Sequence, residues 1–302
     1  MITYNPKDWF TFVFRVHKAE TLKRLWPLLL GVGTYSAAWA YVETVLFKDY
    51  KSVSMVSNIG IIYSILGFTL SLFLVFRTNT AYDRWWEGRR LWGELTNAIR
   101  NLCIHLNAIL PQTDVQRREY YQSLLSLFPT ALRFHLQDRK IPAHFFSENP
   151  VHASITMDIN TIKKSRHQPQ TIAKLFVAGL KMDIQHGLLT HADIEHFKVE
   201  INKLMDVCGG CERIKNTPIP FTYSVFIKKF IFLYVMIFPI VYSTQLNFLI
   251  APVTMFVLYV LASIELIAEE IEDPFNGDES DLPTEAISKN IKISTEELLL
   301  NR

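Results

Sequence analysis

The sequence predicts an all-α membrane protein: four transmembrane helices with a large helical portion outside the bilayer. Three observations predict it. Residues 53–76 carry no charge over 24 positions, more than the ~20 a helix needs to cross a bilayer. Residues 230–264 carry none over 35, too many for one crossing and enough for two. Between these stretches Leu, Ile and Phe recur at spacings of three and four among Arg, Lys, Glu, Gln and His, which is the period of amphipathic helices. No strand-period alternation stands against it.

At the start of the chain, residues 5–24 set Trp9, Phe10, Phe12, Val13 and Val16 against Lys7, Arg15, Lys18, Lys23 and Arg24. That is the pattern of a helix lying on a membrane surface. No early apolar run is followed by a small-residue cleavage site, so a cleavable signal is not expected. Residues 26–47 form the first crossing, with Pro27 near the start, where a helix tolerates proline, and Glu43 close enough to the end to reach the far interface. The KDYK at 48–51 makes only a turn, and residues 53–76 return. Ser64, Gly67, Thr69 and Ser71 lie inside this second crossing. Small and polar residues there mark a face that meets protein or water, since lipid offers them no hydrogen-bond partner. The segment is a candidate pore-lining helix.

Charge returns at Arg77 without a linker. The middle of the chain reads as a series of helices, with breaks expected at Pro111, Pro129, Pro142, Pro150 and Pro169. Residues 171–189 and 190–215 make two of them, the second with Thr190 or Asp193 at its cap. In the late apolar region Pro239 and the polar run at 243–247 mark the turn between the third and fourth crossings. The N-terminus, the segment after Phe76 and the residues before Phe230 are basic, whereas the loop between the last two crossings has no Lys or Arg. The positive-inside bias therefore places both termini and the helical middle in the cytoplasm of a multi-pass plasma (inner) membrane protein. The segments expected are 1–76, 77–224, 225–264 and an acidic C-terminal stretch, 265–302, that wraps a surface or stays partly disordered.

Composition narrows the chemistry. A formal net charge of +2 gives no reason to expect nucleic acid as a partner. Three cysteines, Cys103, Cys208 and Cys211, do not make a disulfide framework. Cys208 and Cys211 have redox or half-zinc spacing, but no second pair completes a zinc site. His186, His191 and His196 are five apart, which spreads them around a helix instead of onto one face. Asp273, Asp278, Glu279 and Asp281 are candidate oxygen ligands for a divalent cation, with solvated surface charge as the competing explanation. No nucleophile elbow, phosphate loop, zinc-protease motif or dinucleotide fingerprint is present, so no enzyme is expected.

Three motifs in order carry a resemblance: DRWWEGR at 83–89 after an apolar helix, TPIPFTYS at 217–224 entering the third crossing, and EEIEDPFNGDESDLP at 269–283 after the fourth. Together they resemble the bacterial branch of the bestrophin family, over nearly the whole chain. The resemblance implies a homopentameric channel for small monovalent ions around one central pore. The second membrane helix would line a narrow apolar neck, and the helical middle would build a cytosolic vestibule. It implies a second constriction at the cytosolic exit, on the helix matched to 171–189, where Leu180 is the nearest residue. Animal members clasp calcium with a dense acidic stretch after an Asn-Pro-Phe motif. Here Asp273-Pro274-Phe275 matches, but NGDESDLP is interrupted by Ser280 and ended by Pro283, so no cofactor is required and calcium activation is not expected. Animal members pass chloride, whereas prokaryotic ones can favour monovalent cations such as Na⁺ or K⁺.

On the second helix a stripe at spacing four takes Ile62, Leu66 and Leu70, with Ile59 and Phe73 extending it. Five copies would stack apolar rings that gate by resisting wetting. A register through Ser64 and Phe68 remains open. The competing functional class is a membrane-anchored helical sensor or binding protein without a pore.

Overall fold

In the computed structural model the described residues are 20–46, 53–142, 145–146, 156–278 and 280–300, and no strand occurs among them. The surface helix expected within 5–24, the break at Pro150 and Glu279 lie wholly or largely outside them. The helices are α1 (Glu20–Leu46), α2 (Val53–Ile109), α3 (Val115–Leu136), α4 (Thr156–Lys164), α5 (Gln168–Gln185), α6 (His191–Asn216), α7 (Phe221–Leu246), α8 (Ile250–Glu272) and α9 (Thr284–Leu300). The chain divides into two compact units, 2–83 with 218–272 and 84–217 with 273–302. Helix α2 is continuous through the boundary at 83–84.

The first unit contains α1, the apolar part of α2, α7 and α8. By length and composition, stretches within Ile59–Ile109 and Phe221–Glu272 are apolar enough to cross a bilayer. The second is divided by a 3₁₀ turn at Asn247–Leu249, where Asn247 takes a φ of 50°. The turn between the late helices therefore falls at the end of the polar 243–247 run. Pro239 lies inside α7 and does not mark it. Helix α8 packs on α1 and α7, and Leu29, Val32, Leu74, Ile231, Val235 and Leu258 fill the core between the helices. Outside that core the helices expose Trp26, Leu30, Phe68, Leu233 and Phe256. An apolar surface of this extent has lipid or another subunit as its natural neighbour.

The second unit is built around α3, in which every residue from Tyr121 to Leu132 is buried. A helix enclosed on all sides belongs at the centre of a helical domain. Pro129 sits inside it and does not end it. Trp92, Leu95, Ile99, Leu102 and Leu106 of α2, Phe176 of α5 and Phe197 and Leu204 of α6 surround it. The acidic C-terminal stretch becomes an ordered helix here: α9 packs along α3, burying Ile291 and Leu299, and Gln122 donates to the Thr295 hydroxyl at 3.2 Å. Buried Arg118 donates to the Asn107 side chain and to the carbonyls of Leu110, Pro111 and Leu299. One guanidinium thus satisfies carbonyls at the ends of two helices, groups that helical hydrogen bonding leaves unpaired. Thr190 caps α6 with a reciprocal bond to Asp193, a capping box.

Candidate functional site

Over residues 59–81 helix α2 has one packed face. Tyr63, Leu70, Leu74, Arg77 and Ala81 are buried at helical spacing. The Tyr63 ring stacks on Tyr234 with centroids 4.2 Å apart, and its hydroxyl donates to the Tyr234 carbonyl. Gly67 permits the approach, because a Cβ there would stand 2.5 Å from the Tyr234 hydroxyl. The opposite face is open: Ile61, Ile65, Phe68 and Leu72 are exposed, Phe68 to 67%. Ser64 and Ser71 are exposed too, and each donates back to a glycine carbonyl one turn earlier. Their hydroxyls are therefore satisfied without a partner from another helix.

This geometry divides the residues of the expected stripe. Ile62 and Leu66 are exposed at the edge of the open face, whereas Leu70 is 1% exposed and belongs to the core of its own subunit. Phe73 packs edge-on against Phe226 and Phe230 of α7. A spacing of four advances about 40° per step around a helix with 3.6 residues per turn. A stripe from Ile62 to Leu70 therefore winds off the open face and into the core. Leu180 is likewise enclosed, at 1% exposure. Gly179 beside it lies against Tyr120 and Tyr121 of α3, and Asp183 one turn on accepts from Arg117 at 2.5 Å and from the Tyr121 hydroxyl. The exposed apolar side chains of that part of α5 are Val177 and Met182.

Helix α2 also collects the three sequence motifs. In the unit containing 84–217, Arg84 donates to the carbonyls of Ile214 and Thr217 at 2.5 and 2.6 Å, capping the end of α6. Glu87 pairs with Arg213 at 2.5 Å, and the Trp85 indole donates to the Ser280 carbonyl. Leu282, Phe275 and Pro274 crowd Gly88 so closely that a Cβ would lie 3.1–3.3 Å from them. In the other unit, Glu272 accepts from the Ile219 backbone and from Arg77, each at 2.7 Å.

The acidic stretch after α8 forms a tight turn. Asp281 accepts from the backbone of Gly277 and Asp278, and Gly277 takes a φ of 100°, a conformation glycine adopts without steric cost. Burial pushes the Asp281 carboxyl up to about 6 and raises that of Asp273. Among the described residues Asp273, Asp278 and Asp281 do not converge as a ligand group; that arrangement occurs instead at His135, His167 and Glu212. Nothing in sequence spacing joins those three, which stand on separate helices. The three cysteines are buried and free, and burial pushes the thiols of Cys103 and Cys208 up to about 12. Such thiols are packing groups, not nucleophiles. His186 and His191 end α5 and begin α6, while His196 stacks on His105.

Long uncharged helices in one unit and a buried helical core in the other define a helical membrane protein. The profile of the bacterial/fungal bestrophin proteins matches residues 1–297, and the chain belongs to that family. Among its relatives, the voltage-dependent anion channel-forming protein alr2987 of Nostoc is 30% identical over 98% of this chain and 94% of its own. The voltage-dependent anion channel-forming protein YneE of Escherichia coli K12 is 31% identical over 76% of this chain and 74% of its own. The crystal structure of a bacterial bestrophin homologue from Klebsiella pneumoniae superposes with a TM-score of 0.77 at 25% identity, covering 90% of this chain and 97% of that one.

Proposed function

We propose that the chain is one subunit of a homopentameric ion channel in the plasma membrane. It crosses four times, through α1, the apolar part of α2, α7 and α8, with both termini cytoplasmic, and conducts small monovalent ions, chloride or Na⁺ and K⁺. The observation that carries this reading is the open, uncharged face of α2 at Ile61, Ile65, Phe68 and Leu72, directly opposite a face packed into its own subunit. In a lone subunit such a face meets only lipid; a ring of subunits uses it as an apolar neck. The names of relatives, which form anion channels, support the same class. The 3₁₀ turn supports two late crossings, since α7 and α8, with 26 and 23 residues, each span more than ~30 Å at helical rise. In this reading the neck passes through Phe68, with Ile62 and Leu66 beside it and Leu70 behind it, and a cytosolic constriction on α5 uses Val177 in place of Leu180. No cofactor is required, and calcium is not part of the mechanism, because Oδ2 of Asp281 is committed to its own turn and, among the described residues, Asp273, Asp278 and Asp281 do not converge as a ligand group. Chloride and sodium efflux from liposomes holding the purified protein tests it. Flux of either ion with a cross-linked pentamer supports the reading, whereas a monomer without flux supports the poreless sensor.

A further inference from the structure

His135 lies in the last turn of α3, His167 is the N-cap of α5 and Glu212 stands near the end of α6. Their side chains converge from three helices. Nε2 of His135 is 2.6 Å and Nε2 of His167 2.8 Å from the same Glu212 oxygen, Oε1. The two rings face each other with centroids 4.2 Å apart, and the three ligand atoms all lie within 4.8 Å of one another. Burial alone would push the Glu212 carboxyl up, but the hydrogen bonds from both imidazoles outweigh it and hold the group below the ordinary carboxylate range. The side chains keep 26–30% exposure, so the cluster is shielded and still open to an entering ion.

We propose that His135, His167 and Glu212 form a site for a borderline divalent transition metal such as zinc, bound by two imidazole nitrogens and one carboxylate oxygen, with a fourth position open to water. Imidazole selects zinc and its neighbours over calcium and magnesium, which take all-oxygen ligands. Zinc bonds of about 2.0–2.2 Å in a tetrahedron set ligand atoms roughly 3.3 Å apart. The two imidazole–carboxylate edges must therefore open by about 0.5 to 0.7 Å as hydrogen bonds give way to metal bonds, and partly exposed side chains allow it. His167 fixes the cost. Its Nδ1 accepts the Gln170 backbone N–H at 3.2 Å, so the neutral ring carries its hydrogen on Nε2, aimed at Glu212. A metal on Nε2 displaces that hydrogen, and the ring then carries one on Nδ1, giving up the cap bond. This tautomer shift leaves the proton count of the neutral ring unchanged, but a protonated ring cannot ligate, so binding weakens as pH falls. The nearby charged groups are spoken for: Asp138 pairs with Lys215 at 2.6 Å and Arg213 with Glu87.

The full-length protein in detergent is titrated with zinc by calorimetry, and with cobalt by visible absorption. One metal per chain is expected, with a cobalt spectrum of nitrogen and oxygen ligands. His135→Gln and Glu212→Gln should each weaken binding at least tenfold, since loss of even an outer-shell partner costs about 10–100-fold. His191→Gln should leave it unchanged. A thiolate-to-cobalt charge-transfer band would place the metal on cysteine and overturn the proposal, as would affinity unaltered in His135→Gln or no zinc binding by the wild-type protein. The cobalt spectrum is read on the unmutated protein, so it decides the matter even where a variant fails to fold.

Discussion

Arg77 and Glu272, 195 positions apart in the chain, meet at 2.7 Å beside Glu265, whose carboxylate lies 3.4 Å from the same guanidinium. Arg77 is the first charge after the uncharged part of α2, and Glu265 is the first after that of α8. Each helix therefore leaves its apolar stretch at the same internal ion group. A charge at that depth persists only when paired.

Removing one partner of a buried ion group leaves the others unpaired, which costs about 3–5 kcal/mol. Arg77→Met should lower the thermal midpoint of the detergent-purified protein sharply. Adding Glu265→Gln to it should restore part of the loss, because the double variant buries one fewer unpaired carboxylate. Equal midpoints for wild type and Arg77→Met would show that the pairing does not hold the helices.

The two faces of α2 separate stability from conduction. Leu70→Ala should cost about 2–5 kcal/mol, as leucine deletions in packed cores do, and leave single-channel conductance close to wild type. Phe68→Ala should keep the thermal midpoint and change conductance. Reversed effects would put the neck on the Leu70 face.

These faces show where sequence alone stops. An apolar stretch without charges announces a crossing, and the three motifs announce their family, so helices, membrane character and kinship were all legible. Which side of α2 packs was not, because an all-round apolar helix has no polar face to orient it. The side is decided by Tyr234 lying against Gly67, which is a contact between residues far apart in sequence. The burial of Leu180 was legible as well. Ile172, Phe176 and Leu180 repeat every four residues, a core stripe. Pro129 and Pro239 mislead for the opposite reason: each is buried against neighbouring helices, and that packing holds a helix through a proline that would end it in isolation.

Asp281 gives a pH dependence of known sign. Burial holds its folded carboxyl at about 6, above the ordinary 3.8, so between those values the folded protein keeps a proton that the unfolded chain releases. Stability from this group therefore rises as pH falls through about 6 and levels off below 3.8. Oδ1, buried without a hydrogen-bond partner, can carry that proton while Oδ2 continues to accept from the turn. Asp281→Asn should be at least as stable as wild type at neutral pH, and the difference should vanish in acid. Asp281→Ala, which cannot accept those bonds, should be less stable throughout.

The cysteines should be inert in the native state. With thiols at about 12 for Cys103 and Cys208, iodoacetamide at neutral pH should label none of the three until the protein is unfolded. Rapid labelling of native protein at Cys208 or Cys211 would reopen a chemical role for the pair.

Conduction through a central pore is tested most directly by recording purified protein in planar bilayers under opposed NaCl gradients. Discrete current steps are expected, with a reversal potential displaced from zero whose sign reports whether chloride or sodium is preferred. A pentamer of verified purity that yields no steps above the lipid baseline would contradict the channel reading.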